Sequence, residues 1–284
     1  MVSLRRSNCM GKLFAVVFSL GSMSVVAHGQ LLSPPVASES TFDVVRPRPG
    51  LVLPVEKPVE KRSGGIHWGS LIREWGLNLA MEHTERILQE SKTRNRLSGP
   101  FFRDWMSTVS MYRFDRWDDD DKFITSYLGH PFQGAVVAAI FWQNDDHVRF
   151  SDQDFHSAAY RKALLQAFAF VTVDAVQWKL GPLSEASIGN VGLPAHWWEE
   201  ERYCKQLNLR CDPRTGLNDL VLNEVGGTAM MIGFHWLDKH LQKRIEGQVH
   251  SRALIDTTRI LTNPPQSVAN IFRFRAPWFR DNRH

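Results

Sequence analysis

Residues 127–142, YLGHPFQGAVVAAIFW, set a histidine and a proline at the mouth of a run that is otherwise almost wholly apolar. From Phe132 through Ala135, Val137, Ile140 and Trp142 no polar face survives at helical spacing. A helix that is apolar all round belongs at the centre of a core or against lipid. About thirteen residues span about 20 Å at 1.5 Å per residue, short of the ~30 Å hydrocarbon layer, so the run is predicted to be the central core helix. Gly134 and Ala138 lie four apart and let a neighbouring backbone approach closely. The residue before a proline is biased away from α geometry and proline favours the first helical position. His130 is therefore expected at the N-cap of this helix, beside its unpaired N–H groups.

Apolar residues at helical spacing recur on both sides of that segment. LIREWGLNLAMEHTERILQESK (71–92) reads as an amphipathic helix, and PFFRDWMSTVSMY (100–112) as a second with Pro100 in its first turn. Residues 157–180 make a further long helix. Residues 217–246 make another, with Gly226-Gly227 as its point of interruption and a place for close packing. SRALIDTTRILT (251–262) is a short one that stops before Pro264-Pro265. Runs of β-branched and aromatic residues with period two are scarce. The expected fold is all-α, a bundle of about six helices.

Before the bundle the sequence has a different character. Arg5, Arg6 and Lys12 precede an apolar stretch from Leu13 to about Ala27, and Ala27-His28-Gly29 sets small residues three and one before a cut at Gln30. Residues 1–29 are expected to be a secretory signal peptide; an uncleaved anchor is the competing reading, but Ser19, Gly21, Ser22 and Ser24 break the stretch below the ~20 apolar residues of a span. Residues 30–64, with Pro34, Pro35, Pro47, Pro49, Pro54 and Pro58, read as an extended linker. Residues 65–284 form the helical domain and end in a basic, aromatic tail.

The formal charge of +4 changes meaning with export. Three of the 34 basic residues and none of the 30 acidic ones lie in residues 1–29, so the mature chain is close to balanced and nucleic acid is not an expected partner. Of the three cysteines, Cys9 lies in the export signal. Cys204 and Cys211 remain, and an oxidising compartment makes a disulfide between them the expected state. Closing so short a loop restricts the unfolded chain by about 2.5 kcal/mol, enough to pin a loop. Two unpaired thiols are the alternative.

Polar residues inside apolar surroundings are where chemistry would sit. Asp118 to Asp121 precede His130, and Asp121 is the candidate carboxylate to orient the imidazole or share a metal with it; a solvated acidic turn followed by a capping histidine is the bland alternative. Glu185, in the turn GPLSEASIGN with Ser184, Ser187 and Asn190, supplies a second carboxylate or stops a helix. Asn218 and Asp219 are good N-caps, and Asp219 is also a candidate partner of His130. Asp174 falls in the middle of an apolar helix, where a charge costs several kcal/mol unless paired; its expected role is structural, as the buried partner of an Arg or Lys. In the tail, Arg273, Arg275, Arg280 and Arg283 alternate with Phe272, Phe274, Trp278 and Phe279. That pattern suits a membrane interface or partner surface, or a tail folded back with its rings buried and its guanidiniums snorkelling.

The order His130-Pro131 with Gly134, then Ser157 and Tyr160, then Trp178 and a Ser/Glu turn, then Asn218-Asp219-Leu220 and Gly226-Gly227 with Gly233, resembles an uncharacterised family of Gram-negative bacterial envelope proteins, a domain of unknown function. The likeness covers roughly residues 115 to 240. It implies an exported envelope protein with a helical domain and implies no activity. One departure is that the family carries a glutamate after Gly233 where this chain has Phe234-His235.

His-Glu-x-x-His, Gly-x-Ser-x-Gly, the phosphate-binding Gly-x-x-x-x-Gly-Lys and the dinucleotide fingerprint are absent from the sequence, and no residue pattern specifies a cofactor or a metal. Two expectations remain. The first is an exported protein of the periplasm or outer membrane, a structural or interaction module whose partner is the envelope membrane or an envelope protein. The second is a hydrolase or transferase of envelope lipid or glycan with His130 as base and Asp121 or Asp219 as its orienter or a metal ligand, Glu185 being the second carboxylate. Convergence of His130, Glu185 and Asp219 around one cavity would favour the second.

Overall fold

The computed structural model describes residues 65–89, 94, 101–110, 112, 114–117, 122–147, 154–188 and 216–281. The chain divides into two units, Met1–Pro58 and Val59–His284, and every described residue belongs to the second. The signal peptide, the whole linker, Asp121, Asn190, Arg283 and the cysteines Cys204 and Cys211 lie outside the described residues.

The fold is an all-α bundle. In chain order its helices are α1 (Trp68–Gln89), α2 (Phe101–Ser110), α3, α4 (Ala158–Leu180), the single turn α5 (Glu185–Ile188), α6, α7 (Arg252–Thr262) and α8 (Pro264–Phe272). Helix α3 is a π turn, Thr125–Gly129, running straight into an α-helix, His130–Trp142. Helix α6 begins at Asn218–Val221, passes through the π turn Leu222–Gly226, the α-helical Gly227–Leu237 and a second π turn, Asp238–Gln242, and ends with Lys243–Gln248. An isolated antiparallel bridge joins Ile66 to Asp145, and the described residues contain no strand.

Helix α3 is the central helix that its composition demands. Ala135 through Trp142 are all buried, and α1, α4, α6 and α8 pack around them. At the end of the helix the Trp142 indole donates to the Ala163 carbonyl (3.1 Å) and stacks on the His235 ring at 4.3 Å. Burial, with the Arg280 charge adding to it, pushes the His235 imidazole down to about 3, so this histidine serves as a neutral ring in the core.

Close approach of α3 and α6 depends on glycine. A methyl group at Gly134 would sit 2.0 Å from the Asn223 carbonyl oxygen, and one at Gly227 would sit 2.7 Å from the Gly134 Cα. Gly226 and Gly227 thus act in packing as expected, while α6 runs through them without interruption.

Two proline expectations are corrected. His130 is not an N-cap: the chain is already helical at Gly129 (φ −64°, ψ −55°) and at His130 (φ −63°, ψ −45°). Pro131 brings no N–H, and the wider turn before it absorbs the misfit, with the His130 N–H reaching back to Thr125 O. Pro264 and Pro265, read as a stop, also start α8, where Asn263 caps by accepting from the Gln266 N–H at 3.2 Å.

The tail folds back. Arg280 is buried, donating to the Arg259 carbonyl (2.6 Å) and lying 3.4 Å from Asp238, while the Arg273 and Arg275 guanidiniums lie on the Phe279 ring, each just over 5 Å from its centre.

Candidate functional site

His130, Asp219 and Glu185 come together in one buried chain of charges. His130 projects from α3, and its Nε2 lies 3.0 Å from Asp219 Oδ1 in the first turn of α6. The other Asp219 oxygen pairs with the Lys179 ammonium at the end of α4. Lys179 also reaches Glu185 Oε2 at 2.8 Å, and the second Glu185 oxygen pairs with Arg86 from α1. The Arg86 guanidinium lies 5.6 Å from the centre of the Trp178 ring, whose neighbour is His83 at 4.7 Å. Burial pushes the His83 imidazole below the usual histidine range, and the Arg86 charge acts in the same direction.

Local sequence explains how these groups are held. Ser184 and Ser187 exchange backbone and hydroxyl hydrogen bonds, which fold the turn that aims Glu185 inward. Leu217 and Asn218 donate their N–H groups to the carbonyls of Arg116 and Trp117, which fixes the start of α6. Asn218 and Asp219 do not cap the helix, another correction: no side-chain cap is made at this end, and Asn218 Oδ1 accepts the next residue's N–H. Asp219 is spent on ion pairing instead, because the cation at Lys179 and the imidazole at His130 converge there. Ser157, of the Ser157/Tyr160 pair, is a true cap, accepting from the Tyr160 N–H at 3.0 Å.

The Glu185 end of the charge chain is fully paired. Burial alone would raise the Glu185 carboxyl, but the Arg86 and Lys179 cations outweigh it and hold it at about 2. A carboxylate fixed so low, with each oxygen in an ion pair, is a poor proton donor or acceptor near neutral pH. All five side chains are at most 13% exposed. The arrangement ties α1, α3, α4, α5 and α6 together, which is the work of a lock. Lys179 and Arg86 went unseen in the sequence because a lysine in a last helical turn and an arginine on an amphipathic helix both have ordinary surface roles.

Asp174 behaves differently. Its expected cation is absent among the described residues; Oδ1 instead accepts the Trp75 indole N–H at 2.6 Å. Burial lifts its carboxyl to about 6 against that hydrogen bond. Glu82 on α1 is raised well above the carboxylate range by burial and then by the Asp174 charge, with the Asn78 and Gln133 amides opposing. Asn78 donates to Glu82 Oε1 at 2.9 Å. Neither of these two acids has a cation paired with it among the described residues. Among the described residues no group of three or more His, Cys, Asp or Glu is placed to hold a metal ion.

One further feature has no counterpart in the site expected from the sequence. The chain turns large apolar side chains outward along adjoining elements. Ile124 and Leu128 at the head of α3 are exposed, and the 125–129 turn packs on the 222–226 turn of α6, which also packs on α4. Val173 on α4 is 59% exposed, Val225 on α6 is 55% exposed and Trp236, three turns further along α6, is 54% exposed.

No family model matches this chain, and no curated protein or solved structure matches it.

Proposed function

We propose that this protein is an exported envelope protein whose helical domain works by docking on the membrane surface, as a structural and interaction module. The observation that carries this reading is that Ile124, Leu128, Val173, Val225 and Trp236 all stand exposed on elements that pack side by side. Soluble monomers scatter such residues singly, whereas bands of them mark membrane or partner contacts. Among the described residues no helix is long and apolar enough to cross a membrane, so the contact proposed is one of lying on the lipid. The sequence of residues 1–29 supports export, and the motif order from His130-Pro131 to Gly226-Gly227 resembles that of an envelope family. Engagement of both Glu185 oxygens by the Arg86 and Lys179 cations favours docking over hydrolysis or group transfer.

Fractionation of a Gram-negative host expressing the full chain tests this. The expected result is a chain beginning at Gln30 that stays with the membranes through a high-salt wash, since a nearly balanced charge leaves little electrostatic attraction to screen. A chain that keeps Met1 and remains in the cytoplasm, or one released free into the periplasm, would overturn it.

A further inference from the structure

Away from the charge chain, the molecule has a cleft of about 360 Å³ at the head of α1, inside the ~300–1,000 Å³ range of small-molecule sites. Its floor is one stripe of α4: Ala159, Lys162, Ala163 and Gln166 follow each other at helical spacing. Ile66 and Trp68 form one wall, and Asp145 with His147 forms the other.

The walls are built in advance of any ligand. The Ile66–Asp145 bridge joins them, and His67 N–H donates to Asn144 O (2.8 Å) while Asp146 N–H donates to Gly65 O (3.3 Å). Behind them the buried Glu74 carboxylate accepts from the Asn144 and Gln143 amides at 2.6 and 2.7 Å, anchoring the end of α3 to α1. Preorganisation of this kind lowers the cost of binding.

The polar groups are unevenly engaged. Asp145 is buried, its side chain 2% exposed, and its Oδ1 accepts both the backbone N–H (2.9 Å) and Nδ1–H (3.0 Å) of His147, so this carboxylate orients the imidazole. Asp146 at the rim is paired with His67 at 2.8 Å. Lys162 is exposed, lines the cleft and has no carboxylate partner among the described residues. Trp68 is 57% exposed beside it, an unusual cost for the largest side chain unless something stacks there.

We propose that this cleft binds a small organic anion: an apolar or aromatic body against Trp68, Ile66 and the α4 alanines, with its carboxylate or phosphate on the Lys162 ammonium and its orientation set by the Gln166 amide and the His147 ring. Isothermal titration of the full chain with benzoate and with phenyl phosphate tests it, with benzylamine as the cationic match. The expected result is saturable binding of at least one anion at millimolar concentration or below, weakened at least tenfold by Lys162→Met and by Trp68→Ala, with none for benzylamine. Whichever anion binds more tightly separates a carboxylate site from a phosphate site. Both substitutions fall at exposed positions, and unchanged circular dichroism confirms their folding. No saturable binding of either anion, anion binding indifferent to Lys162→Met, or equal binding of benzylamine would overturn the proposal.

Discussion

Two sets of buried carboxylates lie in this bundle and behave in opposite ways. Glu185 is held at about 2, while burial lifts Asp174 to about 6 and Glu82 well above its ordinary range. Depth does not separate them, since the Glu185 and Asp174 carboxylates are both buried. Counter-charge does: Glu185 has Arg86 and Lys179, whereas Asp174 has an indole N–H and another acid. Desolvation raises every buried acid, and only a cation at contact reverses the sign. The first set therefore binds helices together, and the second makes the same helices pay for their proximity.

Removing the cation from the first set should give the largest effect. Lys179→Met leaves Asp219 and Glu185 facing one another across an apolar side chain, and breaking a buried pair in this way costs about 3–5 kcal/mol. The expected result is a lowered urea midpoint at neutral pH; an unchanged midpoint would mean that the charge chain holds nothing together.

A smaller effect of opposite sign is expected at the second set. The folded-state value of Asp174, raised from 3.8 to about 6, means that the fold prefers the protonated acid. Its cost is absent below about pH 4, grows between about pH 4 and 6, and is complete above. Asp174→Asn keeps an oxygen for the Trp75 N–H and removes the charge, so stability should rise by roughly 3 kcal/mol at pH 8 and hardly change at pH 4. For Glu185, held at about 2, the stabilisation is present above its ordinary value near 4.5 and is lost as pH falls through about 2. Unfolding of the wild type and of Asp174→Asn across about pH 2 to 8 reads both slopes. An equal gain at both ends of the range would assign the effect to packing.

Much of the architecture was legible because it rests on local pattern. The all-round apolar run of 132–142 could only be central, and the glycines facing it could only mark close approach. Prolines misled where two rules compete: Pro131 sits within a continuous helix because a π turn absorbs it, and Pro264-Pro265 begin a helix as readily as they end one. The site was half legible. His130, Asp219 and Glu185 stood out as polar breaks and do converge, but the cations that join them, Lys179 and Arg86, carried no local signal. The Trp75 indole as partner of Asp174 was hidden because the sequence suggested a charge, and the cleft beside Trp68 was hidden because its walls meet only through the bridge from Ile66 to Asp145.

The central claim, that the exposed band meets lipid, is tested most directly by floating the purified protein with neutral phosphatidylcholine vesicles at low salt and again at about 0.5 M salt, where charge attraction is screened within a few ångströms. Val173→Glu and Val225→Glu, both at exposed positions, are run beside the wild type. The account predicts that the wild type floats equally at both salt concentrations and that each glutamate variant, folded by circular dichroism, stays at the bottom. A wild type that does not float, or variants that float as it does, would contradict it, and a band that instead holds a folded partner from the envelope fraction would move the contact from lipid to protein.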